Sequence, residues 1–132
     1  MNKLTKIFIT SISAITLALV SFSSSFAKVE GEYIVLGAAV SLTGKYSSNG
    51  VHTQNGYNLA VERINSMGGV EVGGKKYKFE IIYYDDESNS GRAAQLAERL
   101  IKQDGVKYML GPYSSGLTKA MAPVTEKYKI PM

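Results

Sequence analysis

Apolar residues run almost without interruption from Tyr33 to Leu42, "YIVLGAAVSL", and the polar stretch "TGKYSSNG" follows. A continuous run of this length, β-branched in its first half, predicts a strand buried on both faces, as in a parallel sheet. The period then changes. Tyr57, Ala60, Val61, Ile64 and Met67 recur at helical spacing and predict an amphipathic helix, ended by Gly68 and Gly69. "KYKFEIIYYDD", Lys76 to Asp86, predicts a second strand. Ala93, Leu96, Ala97, Leu100 and Ile101 form the apolar face of a second helix, capped by Asn89 or Ser90 and stopped by Gly105. Glu98 and Lys102 make a favourable i,i+4 pair on its other side.

"VKYMLG", Val106 to Gly111, predicts a third strand. Leu117, Met121, Val124 and Tyr128 then line one side of a third helix, which Pro123 kinks or restarts. "IPM" begins a fourth strand. Strands that alternate with helices predict an α/β fold, βαβαβα(β), with an open parallel sheet and right-handed crossovers. The common strand order for such a sheet is 2-1-3-4.

Residues 1–27 stand outside this alternation. Lys3 and Lys6 precede an apolar run from Ile7 to Val20, and Ser25 and Ala27 stand at the −3 and −1 positions of a cleavage site. This is the pattern of a secretory signal peptide. The run is interrupted by Thr and Ser and is shorter than the roughly 20 apolar residues that a membrane span needs. Residues 28–132 then form one incomplete domain, because the apolar run at "KYKIPM" reads as the start of another strand and the chain as an N-terminal fragment. The sequence has no Cys, hence no lipid-anchoring cysteine and no disulfide. The formal charge is +4, but Lys3 and Lys6 supply two of those charges. The remaining Lys residues form no stripe with interleaved aromatics, which argues against nucleic acid as a partner.

In an open parallel sheet, ligands bind beyond the carboxyl ends of the strands, where the strand order reverses. For the order 2-1-3-4 that point lies between the first and third strands. The loops there are "TGKYSSNG", Thr43 to Gly50, and "GPYSSG", Gly111 to Gly116. Each opens a helix, whose N-terminus offers unpaired N–H groups and a partial positive charge to an anion. The plainer role for these serines is capping: Ser114 or Ser115 for the last helix, Ser47 or Ser48 for the first.

Several near-motifs fail on their physics. "GVEVGGKK" has the glycine spacing and Lys of a phosphate-binding loop, but Lys76 replaces the metal-binding Ser or Thr and the segment precedes a strand, so it reads as a polar turn. "GPYSSG" lacks the glycine two residues before the serine that a nucleophile elbow requires. His52 is the sole histidine and lies upstream of these serines, so neither a Ser–His hydrolase nor a metal centre is supported, and no cofactor is implied. Asp85, Asp86 and Glu87 follow the second strand. They read as a solvated strand end or as acceptors for nearby backbone N–H groups.

"GAAVSLTGKYSSNG", "NGYNLAVERINSMGGV", "YYDDESNSGRAAQLAERLIKQDGVKYMLGPYSSG" and "APVTEKYKIPM", taken in order, resemble the start of a type I periplasmic binding protein. The subclass is the branched-chain amino-acid (Leu/Ile/Val) type. The resemblance implies a partial first lobe of a two-lobe fold. It also implies a periplasmic, monomeric, non-enzymatic protein that captures an amino acid and delivers it to the membrane permease of an ABC transporter. By motif position, Ser115 grips the ligand carboxylate, with Ser114, Tyr113 and Gly116 beside it. Asn49 stands where Leu/Ile/Val binders carry a bulky aromatic, and Tyr46 is the nearby replacement surface, so the resemblance does not fix which ligand is bound. The same fold also serves as a receptor's extracellular sensor domain and binds small amides or urea.

Overall fold

The computed structural model describes residues 29, 30 and 32–132; the expected signal peptide lies outside the described residues. The chain forms β1 (Val29–Glu30), β2 (Tyr33–Val40), α1 (Ser47–Ser66), β3 (Val70–Val72), β4 (Lys75–Asp85), α2 (Ser90–Lys102), β5 (Met109–Leu110) and α3 (Ser115–Lys127). β2 is the central strand. It pairs in parallel with β4 over its whole length, from Tyr33 opposite Lys78 to Val40 opposite Asp85. On its other edge it pairs in parallel with β5, Gly37 opposite Met109 and Ala38 opposite Leu110. The order β4-β2-β5 is the expected 2-1-3.

The sheet is mixed where a purely parallel one was expected. β1 runs antiparallel to β2, and β3 runs antiparallel to β4. The β3–β4 hairpin turns at Gly73 and Gly74, both at positive φ. The polar turn expected over "GVEVGGKK" is confined to these two glycines, because Val70–Val72, Lys75 and Lys76 are strand, and the φ > 0 pair suits the twist of a tight hairpin. The first and third strands are also shorter than the sequence predicts, and the second is as long but begins and ends one residue earlier. The first ends at Val40, not Leu42, and the second at Asp85, not Asp86. β5 keeps only Met109 and Leu110 of the predicted Val106–Gly111. "IPM" forms no strand, although the Met109 N–H donates to the Pro131 carbonyl at 2.9 Å, one bond of the kind a neighbouring strand would repeat.

α2 and α3 share one face of the sheet. Ala93, Leu96, Ala97, Leu100 and Ile101 are all buried, as the spacing predicts, against Val35, Ala39, Val106, Met109, Leu117 and Met121. Their removal from water is the main source of cohesion. The Asn89 side chain caps α2 by accepting from the Arg92 N–H at 2.9 Å, which settles the choice between Asn89 and Ser90. Outside this core Glu98 lies 3.9 Å from Lys102 and 3.7 Å from Lys127. α3 runs on through Pro123 as one helix.

Among the described residues the opposite face carries α1 alone. Tyr57, Val61 and Ile64 are half-buried there, but Ala60 is exposed and Met67 is 64% exposed. The predicted apolar face of α1 is therefore only partly covered. Gly68 and Gly69, both at positive φ, end α1 as expected.

Candidate functional site

The carboxyl ends of β2 and β5 lie side by side, and each strand leads directly into a helix. Because α1 lies on one face of the sheet and α2 and α3 on the other, the chain reverses direction between these two strands, at the expected place. The loops that follow are Ser41–Tyr46 before α1 and Gly111–Ser114 before α3. They meet through two aromatic rings: Tyr46 and Tyr113 are 5.9 Å apart between centroids, tilted by 57°. The Tyr46 ring also packs against the core, and the Lys45 ammonium lies 4.6 Å from its centre.

The first loop is held by the segment after β4. Asp85 Oδ1 accepts from the N–H groups of Leu42 at 2.9 Å, Thr43 at 3.2 Å and Glu87 at 2.8 Å. Its Oδ2 accepts from the Thr43 hydroxyl at 2.7 Å. The Ser88 hydroxyl donates to the Thr43 carbonyl at 2.8 Å and accepts from the Tyr46 N–H at 3.0 Å. Asp86 Oδ1 accepts from the Ser41 hydroxyl at 2.6 Å and the Ser88 N–H at 2.8 Å. Burial pushes the Asp85 carboxyl up, but the Thr43 hydroxyl and the N–H groups of Glu87, Thr43 and Leu42 outweigh it and hold the carboxyl below its ordinary value of 3.8. The acidic cluster thus bonds backbone N–H groups, one of its two expected roles. Asp86 is fully buried, while Glu87 is exposed and lies 3.3 Å from the Arg92 guanidinium. Among the described residues no group of three acidic, His or Cys side chains is placed to hold a metal.

Gly50 completes this side of the site. A Cβ there would overlap the carbonyl oxygen of Ser41, so only glycine lets the first turn of α1 lie against the end of β2. The expected caps of α1 are not made. Ser47 and Ser48 lie within its first turn, and the N-cap position falls on Tyr46, which makes no side-chain capping bond. The reason is geometric: Ser88 fixes Tyr46 and the helix begins one residue later. Asn49 is exposed in that first turn.

In the second loop the two serines have separate roles. Ser114 is the N-cap of α3, its Oγ accepting from the Leu117 N–H at 3.3 Å and its carbonyl from the Thr118 N–H at 2.9 Å. Ser115 is exposed at the first position of the helix. Among the described residues its hydroxyl makes no hydrogen bond, and neither do the N–H groups of Ser115 and Gly116. These donors sit at the positive end of the α3 dipole. Tyr113 is 46% exposed beside them. Ser115, Gly116, Tyr113 and Tyr46 therefore share one end of the sheet, with Asn49 on the neighbouring helix. His52 is exposed on α1, in the turn after Ser48.

Two contributors escape a reading of the sequence. Thr43 joins the brace through its N–H, hydroxyl and carbonyl. Tyr57, legible only as part of an apolar helix face, donates its hydroxyl to the Gly111 carbonyl at 2.8 Å. Both contacts link residues more than 40 positions apart, where local pattern carries no signal.

Residues 33–132 match the family model described as periplasmic binding protein. The Leu/Ile/Val-binding protein BraC3 of Rhizobium johnstonii is 29% identical over 102 residues, covering 77% of this chain and 26% of the relative. Leu/Ile/Val-binding protein homolog 8 of Brucella suis is 29% identical over 129 residues, 98% of this chain and 30% of the relative. The chain therefore spans less than a third of the length of these relatives. Among solved structures, the branched-chain amino-acid transporter substrate-binding protein LivJ of Streptococcus pneumoniae, in complex with isoleucine, superposes with a TM-score of 0.66 at 31% identity. The match covers 74% of this chain and 27% of that one. The leucine-binding protein LivK of Thermotoga maritima gives a TM-score of 0.65 at 26% identity, over 74% of this chain and 26% of that one. With its α/β architecture and a family match over residues 33–132, the chain belongs to the periplasmic binding protein family.

Proposed function

We propose that this chain captures amino acids, branched-chain ones or related small carboxylates, outside the inner membrane and delivers them to the permease of an ABC importer. It acts by binding and carries out no reaction. Residues 1–27 direct export, and residues 28–132 form part of the first of two lobes, supplying one wall of a ligand cleft in a monomeric protein. Closure of two lobes over the ligand is the conformational change that such an architecture offers a transporter.

The observation that carries this reading is the exposed Ser115 at the start of α3. Capping occupies Ser114, which leaves the Ser115 hydroxyl and the N–H groups of Ser115 and Gly116 as donors for an anion. A carboxylate placed there gains charge-assisted hydrogen bonds and the favourable end of the helix dipole. The rest of the ligand is assigned to Tyr46 and Tyr113, whose rings meet, and to Asn49, exposed in the first turn of α1. The branched-chain preference is supported by the relatives' names and by isoleucine in the Streptococcus pneumoniae structure.

Calorimetric titration of the full-length protein with leucine, isoleucine, valine, small polar amino acids, short amides and urea tests the reading. A branched-chain amino acid should bind saturably, and Ser115→Ala should weaken it by about 1.5–3 kcal/mol, the loss of one hydrogen bond to a charged group. Binding of an uncharged amide in preference to every amino acid, or indifference to Ser115→Ala, would overturn it.

A further inference from the structure

Tyr57 projects from the third turn of α1, 54 residues away in sequence from the loop it touches, and its hydroxyl donates to the Gly111 carbonyl at 2.8 Å. Gly111 lies between the end of β5 and the turn that leads to Ser114 and Ser115. Among the described residues this is the only hydrogen bond to the backbone of Gly111, Pro112 or Tyr113. Pro112 has no N–H to contribute. The next fixed point along the chain is the Ser114 cap. The β5 strand that should steady the loop from behind is only two residues long.

We propose that Tyr57 is a positioning residue of the ligand site: its phenol sets the height of the Gly111–Ser114 loop, and so the place of the Ser115 and Gly116 donors. The inference rests on the proposal that these donors hold a carboxylate. It adds a residue of α1, on the opposite face of the sheet, to the machinery that holds them. Burial pushes the Tyr57 phenol up, so it remains a protonated donor through the neutral range. Tyr83 stands next to it, with its own hydroxyl donating to Asn58 at 2.8 Å. The tether therefore comes from an α1 surface already fixed to β4, and a fixed tether transmits position where a mobile one would not.

Tyr57→Phe removes the hydroxyl and keeps the ring in its packing. In the full-length protein without ligand, amide hydrogen exchange at Leu117 and Thr118, whose N–H groups donate to Ser114 at the end of the loop, should become several-fold faster, while the amides of Leu42, Thr43 and Tyr46 keep their rates. Leucine should bind about three- to tenfold more weakly, in the range for one lost neutral hydrogen bond. A residue that served only general stability would lower the unfolding midpoint without a loop-specific change in exchange or affinity. Unchanged exchange at Leu117 and Thr118, or unchanged leucine affinity where Ser115→Ala weakens it, overturns the proposal. If Ser115→Ala is also without effect, the carboxylate reading fails, and the exchange rates still decide whether Tyr57 holds the loop.

Discussion

The two loops at the carboxyl end of the sheet are built in opposite ways. The first, Ser41–Tyr46, is gripped from the side by Asp85, Asp86 and Ser88, whose hydrogen bonds reach its N–H groups, hydroxyls and a carbonyl. The second, Gly111–Ser114, has one long-range hydrogen bond, from Tyr57, and one cap. A loop whose polar groups are already paired is stiff and has few donors left for a ligand. A loop that leaves hydroxyl and N–H donors open pays for that readiness with weak bracing. The first loop is thus suited to present a fixed surface, such as the Tyr46 ring, and the second to grip. Free-energy differences of this kind separate rigid frameworks from the low-stability segments that binding sites use.

If the first loop is a framework element, damage to it should unfold the protein, while loss of the open donors that follow the second should act on the ligand. Gly50→Ala is the most disruptive case. The added Cβ meets the Ser41 backbone carbonyl, which cannot move without shifting β2. Urea unfolding should show a loss of about 3 kcal/mol or more. Asp85→Asn should cost about 2 kcal/mol, because four donors lose a charged acceptor. Its pH signature is specific. The folded-state pKa of Asp85 lies below the unfolded value, so its contribution is present above that value and is lost as pH falls through the folded one, below 3.8. Unfolding midpoints in acid should therefore fall less steeply with decreasing pH in Asp85→Asn than in the parent. Ser114→Ala is the mildest change, a lost cap costing about 1 kcal/mol. Ligand binding should survive it. A loss of affinity in Ser114→Ala as large as in Ser115→Ala would erase the division of labour between the two serines.

How much of this was legible in the sequence depended on where each contact was made. The face of α2 was read correctly at every position, because that helix meets both the sheet and α3 and its apolar stripe is fully used. The same kind of stripe marks the apolar side of α1, yet Ala60 and Met67 remain exposed, since no second helix among the described residues joins α1 on its face of the sheet. Periodicity reports which side of a helix is apolar and not how much of it is covered. The order β4-β2-β5 and the position of the two loops agree with the alternation of strands and helices and with the strand order common to such sheets. β5 was overread because an apolar run shows that residues are inside without showing that they are paired.

The site was legible by place and less so by role. Two adjacent serines before a helix signal a cap, but only the backbone path assigns it to Ser114 and leaves Ser115 open. At α1 the same signal misled, because a side chain 42 residues away, Ser88, fixes the Tyr46 N–H and moves the helix start. For the acidic run at the end of β4 the sequence leaves open a solvated strand end or a set of backbone acceptors; Asp85 and Asp86 are acceptors, and nothing local in the sequence names the Thr43 loop as the partner of Asp85. Tyr57 shows this limit most plainly: its ring follows the helical period, while its hydroxyl answers to a carbonyl that only the fold brings near.

The most direct test is a nuclear magnetic resonance titration of the full-length protein with leucine, following the backbone amides of both loops. Saturable downfield shifts of the Ser115 and Gly116 N–H signals, with much smaller changes at Leu42 and Thr43, are the expected result. Saturable binding that leaves the Ser115 and Gly116 signals unmoved would contradict the carboxylate cradle and leave Ser114 and Ser115 as the ordinary beginning of a helix.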